Sequence, residues 1–431
     1  MSDDCMYDLE RPGKRKIPHS PFTIPHSPYD ISAIVTTFAP MKRVVVGLSG
    51  GVDSSVAAYL LKEQGYEVIG MFMRNWHNND VTLSNDCPWI DDSNDALSVS
   101  QHLGIPYYAI DMSKEYKERI VDYMFSEYQN GRTPNPDVLC NREIKFDVFL
   151  KAAMQLDADF VATGHYCRKT TNENGRHHLL TGKDPNKDQS YFLCQLNQEQ
   201  LSKAIFPIGD LLKSEVREIA HKAGLSTAEK KDSQGLCFVG KVDLPTFLQQ
   251  QLVPVQGDVI EIDSALEKLQ MYHHLPATIE HLEQLATPFT FQREEGIKVA
   301  EHQGAQYYTI GQRRGVHIGG RPNPSFVLQT DTDQNIVFSG QSGNHPGLNR
   351  RALKIQTADI HYVNPDEELQ LGTSGEFEVR IRYRQPLQKA SLIRKPDGLY
   401  ILFDELQRGI ASGQFAAWYR GEELIGSGVI A

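Results

Sequence analysis

Cysteine is scarce in this chain: six residues in 431, at positions 5, 87, 140, 167, 194 and 237, with none after Cys237. So thin a scatter excludes a small secreted domain stapled by disulfides and suits a reducing compartment. No two cysteines stand as C-x-x-C, and the histidine pairs His177-His178 and His273-His274 have no cysteine framework around them; no metal site is assigned. No stretch approaches the ~20 apolar residues of a membrane span. The opening MSDDCMYDLE lacks the basic start and apolar run of a signal peptide. A cytoplasmic protein without membrane contact is therefore expected. The G-x-x-x-x-G-K-[ST] and G-x-G-x-x-G phosphate motifs are both missing, which removes the kinase-like grip and the nicotinamide fold. Positive charge is in deficit, 44 Lys and Arg against 55 Asp and Glu, for a formal charge of -11. That balance argues against indiscriminate coating of nucleic acid, though a local basic groove stays open.

What is present is enough for two or three cored domains, with 40% hydrophobic residues. Residues 1–40, with RPGKRKIPHSPFTIPHSP, read as a flexible extension. From Met41 the chain alternates strand and helix. VVVGLSG (44–50) is a buried strand, VDSSVAAYLLKEQGY (52–66) a helix stopping near Gly65, and VIGMFMRNW (68–76) the next strand. Helix 94–104, strand 105–112, helix 143–156 and strand 159–165 continue the pattern, so residues 41–206 should form an α/β sheet covered on both faces. Residues 207–300 suggest a small central domain. It would have a helix ending at Gly224, another in DLPTFLQQQL, and a probable insertion at 258–300 whose LEKLQMYHHL and IEHLEQLA can each form a short helix. From 301 to 431 the period falls to two. FVLQTD, NIVFSG, ALKIQTADI, FEVRIRY, LYILFDE and LIGSGVI are strand-length, and a β-barrel would leave none of their edges open.

The strongest local signal is Ser49-Gly50-Gly51-Val52-Asp53-Ser54-Ser55 between strand and helix. Paired glycines let the backbone turn tightly and aim N–H groups at an anion, and the helix start adds favourable potential. Ser49 and Ser54 can donate to phosphate oxygens. Asp53 can hold Mg2+ or orient the loop. The bland alternative is an ordinary βα turn whose Asp53 satisfies nearby amides.

SGGVDSS is the mark of the PP-loop ATP pyrophosphatases. Together with GRTPNPDVLCNREIKF (131–146), ATGHY (162–166), KDQSYFL (187–193), KDSQGLCFVG (231–240) and YYTIGQRRG (307–315), it makes the chain resemble the tRNA-specific 2-thiouridylase family, MnmA/TrmU, from about Lys42 to the C-terminus. The resemblance implies a PP-loop (adenine nucleotide alpha-hydrolase-like) domain, a small mixed domain and a C-terminal β-barrel. It also implies a tRNA uridine 2-sulfurtransferase that uses ATP and Mg2+ to adenylate the C2 oxygen of uridine 34 in tRNAs for Lys, Glu and Gln. A cysteine desulfurase or sulfur-relay protein would supply sulfur, and a monomer is expected. By the same resemblance Cys237 carries the persulfide, Cys140 is its partner thiol, and Asp137 is a general acid/base or substrate orienter. Gly47, Met73 and Gly164 join the phosphate loop at the nucleotide.

Two thiols suit this chemistry because a persulfide's outer sulfur is strongly nucleophilic and a second thiol can cleave the sulfur–sulfur bond. Asp137 can instead cap the turn after Pro136. Gln189 either contacts the base or nucleotide or fixes its own loop. Cys167 and Cys194 read as core residues, while Cys87 has no assigned role. For RNA, Arg142, Lys145, Lys187, Arg313 and Arg314 are candidates. So are Arg380, Arg382 and Arg384, which would share one face if VRIRYR is a strand. Three alternatives remain open: a cluster-dependent thiolase using Cys87, Cys140 and Cys237; an amide-forming ATP pyrophosphatase; and an ATP-binding RNA module or sulfur-relay scaffold.

Overall fold

The structure, a computed structural model, describes residues 41–76, 88–231, 244–316 and 318–431. Cys5, Cys87 and Cys237, and the extension expected at 1–40, lie outside them.

The first sheet contains β1 (Arg43–Gly47), β2 (Glu67–Arg74), β3 (Tyr107–Asp111) and β4 (Phe160–Ala162). After a hairpin of β5 (Cys167–Thr171) and β6 (His177–Thr181), β7 (Ala204–Ile205) completes it. Its order is β3-β2-β1-β4-β7, and every pair is parallel. The unbroken VVV of β1 is explained by burial on both faces. Val44 and Val46 pack with Val56, Leu61 and Val99 from α1 (Val52–Glu63) and α2 (Pro88–Leu103), whereas Val45 packs with Ile69, Met71 and Phe149 on the other face. Each such aliphatic residue, fully buried, contributes roughly 1.5–3 kcal/mol. The chain runs from β1 to β2 and β3 on one side and to β4 and β7 on the other, so a crevice opens at the carboxyl ends between β1 and β4, where ligands of such sheets bind.

The expected boundary at 206 is not where packing breaks. Val216 and Ala220 of the helix Lys213–Lys222 belong to the same core as Val56 and Ala57 of α1. The helix is amphipathic, and its apolar stripe is covered by the first domain rather than by a separate one. The segment 258–300 is likewise no insertion. β8 (Gly257–Ile262) and β9 (Gly296–His302) join β10 (Ser325–Asp331) and β11 (Ile336–Gln341) in a sheet ordered β10-β11-β8-β9. A break at 300 would cut β9 in two. The two short helices expected there are present at Glu267–His274 and Leu282–Ala286, and Leu282 and Leu285 pack against Ala352 and Tyr400 of the C-terminal domain.

That domain is a closed barrel. β12 (Asn349–Tyr362), β13 (Ser374–Arg380), β14 (Gln388–Lys395), β15 (Gly398–Arg408), β16 (Phe415–Arg420) and β17 (Glu423–Ile430) follow the order β12-β15-β14-β13-β16-β17, and β12 pairs with β17 to close it around Trp418, Phe403 and Val379. The β5–β6 hairpin of the first domain extends β17 through Leu179 and Leu424. One backbone ladder thus ties the barrel to the nucleotide sheet.

Candidate active site

Gly50 has φ +72°, a left-handed conformation that glycine adopts without penalty, and Gly51 is the extended residue before α1. The turn is fixed from within. Ser49 N donates to Ser54 Oγ at 3.1 Å, and the hydroxyls of Ser54 and Ser55 donate to the Gly51 carbonyl at 3.1 and 2.8 Å. It is also fixed from outside, because a Cβ on Gly164 would lie 2.7 Å from both Asp53 C and Ser54 N. Gly47, Met73 and Gly164 therefore converge on the loop, with Met73 Cε 3.6 Å from the Gly47 Cβ position. Backbone N–H groups at the start of a twelve-residue helix remain to face an anion.

Asp53 does not stand open as a metal ligand. Its Oδ1 accepts from the Tyr166 hydroxyl at 2.7 Å, and Lys213 Nζ reaches Oδ1 and Oδ2 at 2.7 and 2.9 Å. Among the described residues no group of three His, Cys, Asp or Glu side chains is placed to hold a metal ion. The orienting role of Asp53 is the one its hydrogen bonds support. Lys213, 160 residues away, carries no local signal in the sequence.

Cys140 begins a π-helix, Cys140–Val148, that continues as the α-helix Phe149–Met154 and breaks helical geometry only at Phe146. Such wide turns are rare and concentrate at functional sites. The helix reaches the phosphate loop, with Phe149 Cζ 3.6 Å from the Gly47 Cβ position. Cys140 is completely buried. The segment before it is held by the barrel and the middle sheet. Thr133 N donates to Ser412 O at 2.8 Å, Gln414 Nε2 donates to the carbonyls of Thr133 and Pro134 at 3.1 and 3.0 Å, and Thr133 Oγ1 donates to Thr309 Oγ1 at 3.2 Å. Asn135 caps the following turn by accepting from Val138 N at 3.3 Å. Asp137, half-buried, is therefore not needed as that cap. Chain on either side of Cys237 is anchored at the same sheet edge. Lys230 pairs with Asp92 at 2.7 Å and with Asp95, while Phe247 stacks on Phe125 at 5.5 Å and meets Trp76 at 5.7 Å.

Behind β4, His165 is buried with Nδ1 2.7 Å from Thr163 Oγ1; burial and then the neighbouring Lys145 ammonium push its pKa well down, so the ring is neutral. Lys145, only 7% exposed, lies inside the domain rather than on an RNA-facing surface. Gln189 Oε1 accepts from Tyr166 N at 3.0 Å and Gln189 N donates to Tyr166 O at 2.9 Å, which favours its loop-fixing role. Lys187 is half-buried in the same loop. Cys167 and Cys194 are core thiols, the first pushed well up by burial and the second up to about 12 by burial.

The arginines do not share a strand face, because β13 ends at Arg380. Arg380 is buried, pairs with Asp188 at 3.0 Å and lies over the Tyr419 ring; Arg382 donates to the Gly409 carbonyl; only Arg384, at φ +64°, is exposed. Arg142 is occupied by Glu143 and Gln195, each at 2.7 Å, whereas Arg313 and Arg314 stand exposed.

An α/β sheet with a phosphate loop at its switch point, bonded to a barrel that pins a cysteine helix, defines the class: a nucleotide-binding domain of the PP-loop kind with an RNA-modification barrel. The pattern described as tRNA methyl transferase HUP domain matches residues 42–241. Those described as tRNA methyl transferase PRC-barrel domain and aminomethyltransferase beta-barrel domain match 281–341 and 352–430. The chain is 57% identical over 394 residues to the tRNA-specific 2-thiouridylase MnmA of Christiangramia forsetii, covering 90% of this chain and 100% of the relative. Identity to the protein of that name from Flavobacterium johnsoniae is 58% with the same coverage, and to that from Streptococcus thermophilus 45%, covering 90% and 95%. This chain belongs to the tRNA-specific 2-thiouridylase (MnmA) family. A solved 4-thiouridine synthetase bound to RNA and ATP overlaps 49% of this chain and 50% of its own at 18% identity and TM-score 0.30, too slight a likeness to bear on function.

Proposed function

We propose that this protein is a tRNA uridine 2-sulfurtransferase that consumes one ATP per sulfur placed at C2 of uridine 34 in tRNAs for Lys, Glu and Gln. The observation that carries the reading is the packing of the helix begun by Cys140 against the strand end that opens the phosphate loop, Phe149 against Gly47. It brings nucleotide chemistry and thiol chemistry to one sheet edge.

The uridine O2 attacks the α-phosphorus of ATP, and pyrophosphate departs over the start of α1, where N–H groups stabilise its charge. The terminal sulfur of a Cys237 persulfide then adds at C2, and AMP leaves with the former carbonyl oxygen. Attack of the Cys140 thiolate on the inner sulfur releases the thiocarbonyl and leaves a Cys140–Cys237 disulfide, which an external thiol reduces. Asp137, three residues before Cys140, orients the base or carries its proton. ATP fits the cradle formed by Gly50, Gly51 and Gly164. Mg2+ enters with the nucleotide's own phosphates, since Asp53 is engaged by Lys213 and Tyr166. The persulfide comes from a cysteine desulfurase or a sulfur-relay protein. Arg313, Arg314 and Arg384 are the exposed cations assigned to the RNA backbone.

Purified protein given ATP, Mg2+, bulk tRNA and a persulfide source should yield 2-thiouridine in digested tRNA, detected by the mass gain of sulfur replacing oxygen. Cys140→Ser and Cys237→Ser should abolish it. Unmodified tRNA from the unaltered protein with a competent donor would refute the assignment.

A further inference from the structure

We propose that Lys213 is a built-in counter-cation of the phosphate loop: it holds the Asp53 carboxylate where a metal ion would otherwise sit, and it shares its ammonium with the ATP phosphates when nucleotide binds. This deepens the ATP-dependent reading above and rests on it.

Asp53 stands in the first turn of α1, where it opposes the helix-end potential that draws a polyanion. An uncompensated carboxylate there would repel ATP. Lys213 removes that repulsion with two short hydrogen bonds, 2.7 and 2.9 Å, and its side chain is only 13% exposed, so solvent screens the pair weakly. The ammonium is also pre-ordered. Lys213 begins its helix, its backbone N–H donates to Asp184 Oδ2 at 3.0 Å, and Nζ lies 5.7 Å from the centre of the Tyr166 ring. Tyr166 OH donates to Asp53 Oδ1 at 2.7 Å, and Tyr166 is itself tied to Gln189.

A magnesium ion on Asp53 would have to displace both the hydroxyl and the ammonium from one oxygen, and Mg2+ accepts only near-octahedral oxygen ligands at about 2.0–2.1 Å. An ammonium has three N–H donors, so it can exchange one carboxylate bond for a phosphate oxygen without releasing Asp53. Lys213 is accordingly a positioning residue in the free protein and a phosphate ligand in the complex.

ATP binding to the full chain is measured by calorimetry at saturating Mg2+, and Mg2+ is then titrated at fixed ATP, so the answer does not depend on turnover. Lys213→Gln should weaken ATP binding roughly 10- to 100-fold, the range for removal of a hydrogen bond between charged groups. Lys213→Arg should recover most of the loss. Asp53→Asn should leave the Mg2+ concentration for half-maximal ATP binding unchanged, and in the double variant it should add little to Lys213→Gln. The proposal is overturned if Asp53→Asn raises the Mg2+ requirement, or if Lys213→Gln melts normally and binds ATP like the unaltered protein. Should Lys213→Gln fail to fold, Lys213→Arg and Asp53→Asn still decide between ammonium and metal. Absence of thiolation by the unaltered protein, with these binding results intact, would count against the thiolation reading and not against Lys213.

Discussion

Single residues set the site's geometry by leaving no room. Gly164 is the clearest, since any Cβ there meets the backbone of Asp53 and Ser54. Gly164→Ala should displace the phosphate loop by a fraction of an ångström and lower kcat/KM for ATP, on the order of 10²-fold, with a far smaller change in melting temperature. Steady-state kinetics beside a thermal melt would separate the two effects. His165 makes a second prediction. Its folded pKa lies well below the unfolded value of about 6.5, so the unfolded chain binds the proton first as pH falls. The stability that neutral His165 contributes is complete above about pH 6.5 and is lost below it. His302, His345 and His361 shift in the same direction. His165→Gln should therefore reduce, without abolishing, the fall in stability between about pH 7.5 and pH 5.5 in urea titrations. The phosphate loop is legible at this scale because its chemistry is contiguous. Lys213 and Tyr166 are not, because each meets Asp53 only through the tertiary fold.

Elements decide where the cysteine helix sits. The loop Ser412–Gln414 between β15 and β16 grips Thr133, and a Cβ on Gly413, at φ +91°, would lie 2.8 Å from the Thr133 carbonyl oxygen. Gly413→Ala should cost about 1–2 kcal/mol in backbone strain and push the segment leading to Cys140. ATP binding should hold while 2-thiouridine formation falls, checked by calorimetry and nucleoside analysis on one preparation. Local patterning reveals α1, β1, β2 and the short helices at 267–274 and 282–286, since each carries its own period or stop signal. It misses β8 and β9, which read as strands only once β8 pairs with β11, far along the chain. It also misses β14 and β16. Alternation in VRIRYR suggests three arginines on one face, but the strand ends at the first, which is consumed by Asp188.

Across the whole molecule, an acidic chain must bind an acidic polymer through a few local cations. Arg313 and Arg314, in a loop bounded by Gly311 and Gly315 at φ +85° and +80°, are exposed and well placed for this. Replacing both with Ala should weaken tRNA binding and flatten the slope of log K against log salt by about two, roughly one for each phosphate no longer neutralised. An unchanged slope would remove them from the RNA surface. The order of domains is readable from the sequence, but their joints are not. The Asp188–Arg380 pair and the β6–β17 ladder join residues that stand in different domains, far apart along the chain.

The central claim is that ATP turns a carbonyl oxygen into a leaving group at the edge where the phosphate loop meets the cysteine helix. The most direct measurement uses tRNA whose target uridine carries a heavy oxygen isotope at C2, followed through one turnover by mass spectrometry of the nucleotides. The account predicts that the label leaves in AMP as 2-thiouridine appears. Thiolated tRNA accompanied by unlabelled AMP, with the heavy oxygen in water instead, would contradict it.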